Sequence, residues 1–422
     1  MQFFKWLYPG LGIKRWILLC TLGLGLIVAV ALGAVKTLTH TSVLLGAFAT
    51  ALLIFGIFLV YTGIKNMVRI FVRTLMPPHQ DDPLVDLVYQ KRQIQSLSRG
   101  PRIVALGGGT GLSTLLTGLK FFTSNITAIV TVTDTGGSSG RLRDEMDMPP
   151  PGDIRSCLVA LADAEPLIRD LFQYRFKEGE GLTGHSFGNL FITALSKVTG
   201  DFEKAIRASS KVLAIRGRVI PSSLEKVTLV GEFADGTTAE GETTITELNK
   251  PLRRIRLKPA DCAATPEALE AIENADLIIL GPGSLYTSIL PNVLIPEIRD
   301  ALLRSEAYKV FIINIMTQPG ETIGYSAYDH VRIFAEHTDP RLVDVCLVNV
   351  KEVPEEMIQK YREKGADLVR LDLDAIREKG YEVLEGVLLK LDGQVRHDPA
   401  ELSRLILDRY LEKSRVAAKS SS

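Results

Sequence analysis

The stretch Val104-Ala105-Leu106-Gly107-Gly108-Gly109-Thr110-Gly111 constrains this chain most, because an apolar strand that breaks into glycines and then into an amphipathic helix builds an anion site. Glycine lets the backbone take positive φ, and it lets a phosphate reach main-chain N–H groups that a Cβ would shield. The helix expected over 112–119 turns its positive end toward the same place. A phosphate ester therefore belongs at Gly108, Gly109, Thr110 and Gly111, unless the glycines serve only a tight turn.

Neither of the two best-known phosphate loops is reproduced. A P-loop carries Lys and Ser or Thr after its last glycine, where this chain has Leu112-Ser113. The dinucleotide fingerprint is met at its first two glycines and fails at the third, where Leu112 stands.

The rest of the soluble part alternates β-rich runs with helical patterns, which predicts an α/β fold built on a doubly wound, mostly parallel sheet. Strands are expected over 103–106, 126–132, 277–280, 310–315, 343–348 and 368–371. Helices are expected over 154–162, 167–176, 187–197, 202–213, 266–272, 327–337, 355–364 and 399–415, with 84–97 leading in. One segment breaks the rhythm: 226–233 and 237–245 flank Asp235-Gly236, a hairpin signal, and 254–257 adds a strand. This reads as a small antiparallel insertion, too poor in apolar residues for a core of its own.

Ahead of the α/β part lie two uncharged apolar stretches, 16–35 and 43–64, each long enough to cross a hydrocarbon core of about 30 Å. A signal peptide is the competing reading of the first stretch, but its apolar region would be shorter. Lys5, Lys14 and Arg15 precede the first stretch, Lys65, Arg69 and Arg73 follow the second, and only Lys36 lies between them. The positive-inside rule then puts both ends and the main domain in the cytoplasm. Neither stretch holds an acid or base, so an anchor is expected rather than a transport path. The expected organisation is an anchor over 1–75, a Pro-rich linker over 76–100, a soluble domain over 101–415 and a disordered tail over 416–422.

With 49 Lys plus Arg against 49 Asp plus Glu, no global field attracts nucleic acid. Cys20, Cys157, Cys262 and Cys346 are scattered without a Cys-x-x-Cys pair, which argues against a zinc site or a disulfide framework and suits a reducing cytosol.

In doubly wound sheets, ligands gather beyond the carboxyl ends of the strands, where further polar, glycine-containing segments fall. Thr133 to Arg143 offers Asp134, Gly137 and Ser138, with Arg141 or Arg143 as phosphate partners; a mobile loop is the alternative. Gly281 to Ile289 offers Gly283, Ser284 and Ser288, whose hydroxyls suit a diphosphate, a sugar or a helix cap. Asn314 opens a segment of neutral donors suited to a base or sugar, Asn189 lies in a turn with His185, and Arg218 offers a cation. His185 reads as a base or as a hydrogen-bonded structural residue. The carboxylates Asp134, Asp144, Glu145, Asp147 and Asp153 admit Mg²⁺ beside a diphosphate without requiring it, with Asp134 as the named metal candidate. No catalytic residue can be nominated, since six histidines show no triad spacing.

Six ordered motifs together resemble the gluconeogenesis factor (YvcK-like) family of the CofD-like superfamily. They are Gly107 to Gly111, Asp134 to Arg143, Pro151 to Arg155, Gly184 to Asn189, Gly281 to Ser288 and Met316 to Thr322, and the resemblance spans Arg102 to about Arg415. It implies a Rossmann-like fold over 101–415 and binding of UDP-sugars such as UDP-N-acetylglucosamine. It also implies a role in cell shape and envelope synthesis during gluconeogenic growth. CofD-type transferases move phospholactate onto a deazaflavin precursor and carry an acidic pair after Asn-Thr-Gly; here Gly137-Ser138 follows Asp134-Thr135-Gly136. The loss of those carboxylates weakens metal and acceptor positioning, on which phosphoryl-type transfer depends. A membrane-tethered nucleotide-sugar-binding regulator is therefore expected, with no required cofactor, and a Mg-dependent CofD-like transferase is the alternative. The expected partners are a UDP-sugar, the membrane and envelope-synthesis proteins; a second copy of the chain and a purely scaffolding role stay open.

Overall fold

The computed structural model describes residues 13–36, 43–75 and 97–420, and the chain divides into two compact units, Met1–Gln93 and Ile94–Ser422. In the first unit, helices Ile13–Lys36 and Val43–Leu75 pair closely, and both are long and apolar enough to cross a membrane. Small residues set the approach: a Cβ on Gly23 would lie 2.7 Å from the Gly56 carbonyl oxygen, and one on Gly63 would lie 2.3 Å from the Cys20 sulfur. Such backbone-to-backbone contact is how apolar helices associate without a hydrophobic drive between them. The helix expected over 84–97 and most of the 76–100 linker lie outside the described residues.

The second unit is built on seven strands: β1 (Ile103–Gly107), β2 (Ile126–Val130), β3 (Arg218–Pro221), β7 (Leu277–Leu280), β8 (Tyr308–Ile312), β9 (Val345–Asn349) and β10 (Glu382–Gly386). All pair in parallel, in the order β10-β9-β8-β7-β1-β2-β3. The central strands are buried on both faces, and β1 alternates between two cores: Val104 and Leu106 face one, Ile103 and Ala105 the other. The chain runs outward from β1 to β3 on one side and from β7 to β10 on the other, so the topological switch point falls between β1 and β7. Main-chain bonds fix the junction, with Gly281 N–H donating to the Leu106 carbonyl at 2.9 Å. A crevice opens there, beyond the carboxyl ends of these strands.

The expected strand over 368–371 is corrected: only single bridges, Met316 with Leu368 and Ser326 with Arg370, join it to neighbouring loops. The edge strands β3 and β10 carry no apolar run, since Arg218, Pro221, Glu382 and Glu385 interrupt them, and they escape a search for continuous hydrophobicity. The insertion is the three-stranded antiparallel sheet of β4 (Thr228–Phe233), β5 (Thr238–Glu240) and β6 (Leu252–Lys258). Its second strand ends at Glu240 instead of reaching Ile245, because Glu242–Glu247 turns into a helix that buries Ile245. The loop read after β2 is also corrected, since Gly137–Met146 is helical. Of the tail expected to be disordered over 416–422, residues 416–420 continue the last helix, Pro399–Ser420, and the last two lie outside the described residues.

That last helix packs on helix Gly109–Leu119, where a Cβ at Gly118 would lie 1.9 Å from the Pro399 carbonyl oxygen. Gly118→Ala should therefore cost about 1–3 kcal/mol by overpacking, more than alanine's helix propensity returns. A lowered urea midpoint with an unchanged slope is the expected reading; an unchanged midpoint would remove this contact as a constraint.

Candidate functional site

At the switch point, the ends of β1 and β7 face each other. Gly109 opens the helix after β1 with φ +58°, a conformation that costs glycine alone nothing. Gly111 lies so close to the turn after β7 that a Cβ would stand 2.3 Å from the Pro282 carbonyl oxygen. As the first residues of a helix, Gly109, Thr110 and Gly111 have amides without intrahelical acceptors. The Gly109 amide bonds the Asp153 carboxylate, which leaves those of Thr110 and Gly111 for a ligand.

These residues line a cavity of about 620 Å³, a size suited to a nucleotide-scale ligand. Gly108, Gly109, Thr110 and Gly111 form one wall, Gly283, Ser284 and Ser288 a second, and Asn314 to Gln318 a third. Lys364, Arg396 and His397 close the far side, and Glu242 and Glu321 face in.

The hydroxyls here have distinct duties. Ser284 caps the π-helical turn Leu285–Ile289 by accepting from the Thr287 amide at 3.1 Å, and it donates its proton to the Glu321 carboxylate. It is therefore a wall of the site and not a free donor. Ser288 has no hydrogen-bond partner for its hydroxyl among the described residues and faces the glycine loop. Asn314 holds the second wall: its amide nitrogen donates to the Gly283 carbonyl at 2.8 Å, while its oxygen accepts from the Gly283 amide at 3.4 Å. Asn292, which drew no notice in the sequence, is fully buried and ties the two walls by donating to the carbonyls of Gly107 at 3.1 Å and Ser288 at 2.7 Å.

Four carboxylates gather behind the loop: Asp134, Asp153, Glu242 and Glu321. Burial, reinforced by the neighbouring Asp134 charge, pushes the Asp153 carboxyl up to about 7. Burial and then the charges of Asp134, Asp153 and Glu321 push Glu242 up to about 8. Burial also raises Glu321, against the hydrogen bonds from Ser284 and Thr287. Asp134 is held in place by accepting from the Gly136 amide at 2.8 Å. The acidic stretch read in the sequence thus divides: Asp153 lies against the back of the glycine loop with Asp134 beside it, whereas Asp144 and Asp147 face outward toward Lys226. Glu242 gave no local signal, since only the fold of the insertion carries it here. Among the described residues no three His, Cys, Asp or Glu side chains form a metal-holding group.

Other sequence candidates lie elsewhere. Ser138 and Asn189 belong to a separate buried network, in which the Asn189 amide donates to Ser138 Oγ at 3.1 Å and Ser138 meets His185 Nδ1 at 2.9 Å. His185, its basicity lowered by burial, is thereby a structural partner. Gly137 starts the next helix with φ +45° in open space. Arg141 donates to the Thr183 carbonyl, and buried Arg143 donates through Nη2 to the Val227 carbonyl and Thr228 hydroxyl, so both are turned to neighbouring loops and neither lines the switch-point cavity. Arg218 is corrected outright: it is the first residue of β3, paired with Thr127 near the start of β2, at the sheet edge opposite the glycine loop.

Comparison with known proteins agrees with this architecture. Residues 103–389 match the family described as 2-phospho-L-lactate transferase CofD. A Nostoc sp. relative is 46% identical over 97% of this chain and 93% of its own length. The Bacillus subtilis gluconeogenesis factor is 47% identical over 75% of this chain and all of its own. The crystal structure of a UPF0052-family protein from Bacillus halodurans superposes with a TM-score of 0.71 at 46% identity, covering 73% of this chain and 99% of that one.

Proposed function

Because the chain belongs to the gluconeogenesis factor family and carries its CofD domain, we propose that it binds a nucleotide-sugar of the UDP-N-acetylglucosamine type at the switch-point cavity. On this reading it acts as a membrane-tethered cytoplasmic regulator of cell shape and envelope synthesis during gluconeogenic growth. The observation that carries the binding site is the meeting of two glycine turns, 108–111 and 281–283, around one cavity with helix-terminal amides open to it. Those amides favour a diphosphate, and the neutral donors of Thr317 and Gln318 suit a base or sugar. The two apolar helices supply the tether, and the excess of cations flanking them supports the cytoplasmic orientation.

A diphosphate beside four carboxylates needs its charge balanced. The donor set is all hard oxygen, which fits Mg²⁺, an ion commonly held by one or two carboxylates plus substrate phosphates. Asp134 and Asp153 are the residues that would hold it. When bound, such an ion would supply charge neutralisation between the carboxylates and the phosphates. Asp153 meanwhile keeps the Gly109 amide oriented, and Asn314 and Asn292 keep the two turns in register.

The same cluster favours a second reading, a CofD-like transferase. The acidic pair missing after Gly136 has substitutes in space, since Asp153 and Glu242 stand beside Asp134. Calorimetric titration of the detergent-solubilised chain with UDP-N-acetylglucosamine separates the readings. Saturable binding with no turnover supports the regulator. Product formed from a deazaflavin acceptor and a dinucleotide phosphodiester donor, lost in Asp134→Asn, supports the transferase.

A further inference from the structure

A second cavity of about 690 Å³ lies across helix Gly109–Leu119 from the first and meets it at Thr110, Thr114, Arg396 and His397. Its character differs. Lys120, Arg155, Arg169, Lys390 and Arg396 line it against two carboxylates, Asp170 and Asp392, and Asp392 is already paired with Lys390 at 3.5 Å. The hydroxyls along the helix, Ser113, Thr114 and Thr117, donate back to carbonyls of their own helix and bring no negative charge to balance these cations.

Three buried polar atoms on this wall have no partner among the described residues: Arg155 Nε, Arg169 Nε and His397 Nε2, although Arg155 donates through Nη2 to the Ser156 hydroxyl at 3.1 Å. Folded proteins seldom leave such groups unmatched, and an orphan donor costs about 1–3 kcal/mol. The Arg169 side chain makes no hydrogen bond or ion pair with any described residue, so its guanidinium carries an unbalanced charge at this wall. His397, only 7% exposed, bonds the Ile313 carbonyl through its other ring nitrogen, and burial keeps the ring neutral. Its Nε2 is therefore a lone pair that accepts a hydrogen bond from a hydroxyl and cannot grip an anion.

We infer that this cavity is a second ligand site, built for a small hydroxylated phosphate ester such as a sugar phosphate. The guanidiniums of Arg155 and Arg169 take the phosphate, and His397 accepts from a ligand hydroxyl. The forked donors of arginine suit phosphate, and the volume holds a hexose phosphate with room for its hydration. The proposal does not depend on what fills the first cavity, although Thr110, Thr114, Arg396 and His397 line both and place the two ligands on opposite faces of one helix.

The test titrates the full chain in detergent micelles with glucose 6-phosphate, inorganic phosphate and glucose, in the presence and absence of saturating UDP-N-acetylglucosamine. Glucose 6-phosphate is expected to bind alongside the nucleotide-sugar, more tightly than inorganic phosphate, with no heat from glucose. Arg169→Gln should weaken it by about tenfold or more, while UDP-N-acetylglucosamine affinity stays within about twofold. Arg169→Lys, which keeps the charge and loses the fork, should weaken binding less than Arg169→Gln and guards against a misfolded variant. The site is overturned if glucose 6-phosphate does not bind, if the nucleotide-sugar displaces it mole for mole, or if Arg169→Gln changes nothing. Equal affinity for inorganic phosphate would overturn the ester assignment. Absence of nucleotide-sugar binding with an Arg169-dependent sugar-phosphate site would fault the reading of the first cavity alone.

Discussion

Thr110→Glu is expected to weaken UDP-N-acetylglucosamine binding by about a hundredfold while leaving the fold intact, because one added charge repels a diphosphate by about 3 kcal/mol at 5 Å and an effective dielectric of 20. Thr110 is exposed at the rim of the cavity, and its side chain makes no hydrogen bond that the change would break. An acid in the first helical turn is favoured by the helix dipole, by about 0.3–1 kcal/mol, so the melting temperature should hold or rise. Loss of affinity without loss of stability is hard to obtain from a distant site. Charge is the sharper probe here, since a long neutral side chain at an exposed rim can swing aside. Unchanged affinity would remove the glycine loop from the binding site.

The second large effect is a dependence on pH that changes sign with Mg²⁺. Asp153 at about 7 and Glu242 at about 8 are neutral at pH 6 and charged at pH 9. In chelator, rising pH therefore adds negative charge behind the loop, and affinity for the nucleotide-sugar should fall by about tenfold or more. With Mg²⁺ present, the same deprotonation creates ligands for the cation, and affinity should hold or rise. Asp153→Asn should remove the step near pH 7 from both profiles and leave the smaller step that Glu242 contributes. Stability follows the same linkage: the native state holds protons that the unfolded chain releases, so stability is full below the ordinary carboxylate range. It falls as pH rises through about 7 to 8. Asp153→Asn should then be more stable than the parent at pH 8, by up to about 4 kcal/mol, and near parity at pH 4. Parallel profiles with and without Mg²⁺ would contradict the placement of the cation.

What could be read in advance depended on whether a feature is local. Strand, glycine turn and helix are consecutive in 104–119 and again in 277–289, so both walls of the cavity were legible from short segments, whereas Asn314, read as a donor to a base or sugar, holds the Gly283 turn. Ser284 was legible as a wall residue, but its proton goes to Glu321, thirty-seven positions away, and no local pattern announces that. Glu242, Arg396 and His397 reach the site only through the folding of the insertion and of the short antiparallel ribbon β11 (Leu389–Leu391) and β12 (Val395–His397). Arg218 misled for a geometric reason. In a parallel sheet the residue that precedes a strand and the residue that follows it stand at opposite edges, and Arg218 starts its strand. A cation judged by charge alone carries no such direction.

The apolar hairpin illustrates the same point. Length and lack of charge marked both helices, yet the glycines that let them touch, Gly23, Gly56 and Gly63, acquire meaning only once the pair is seen side by side. The seven-stranded sheet likewise hid its edges, whose charged residues break the hydrophobic run.

The central claim is that main-chain amides at the end of β1 hold the diphosphate of a nucleotide-sugar. A crystal structure of the protein grown with UDP-N-acetylglucosamine tests it most directly. Diphosphate oxygens about 3 Å from the Thr110 and Gly111 amide nitrogens are expected, with the sugar or base toward Thr317 and Gln318. Ligand density elsewhere on the molecule, with those two amides turned to water, would contradict the account.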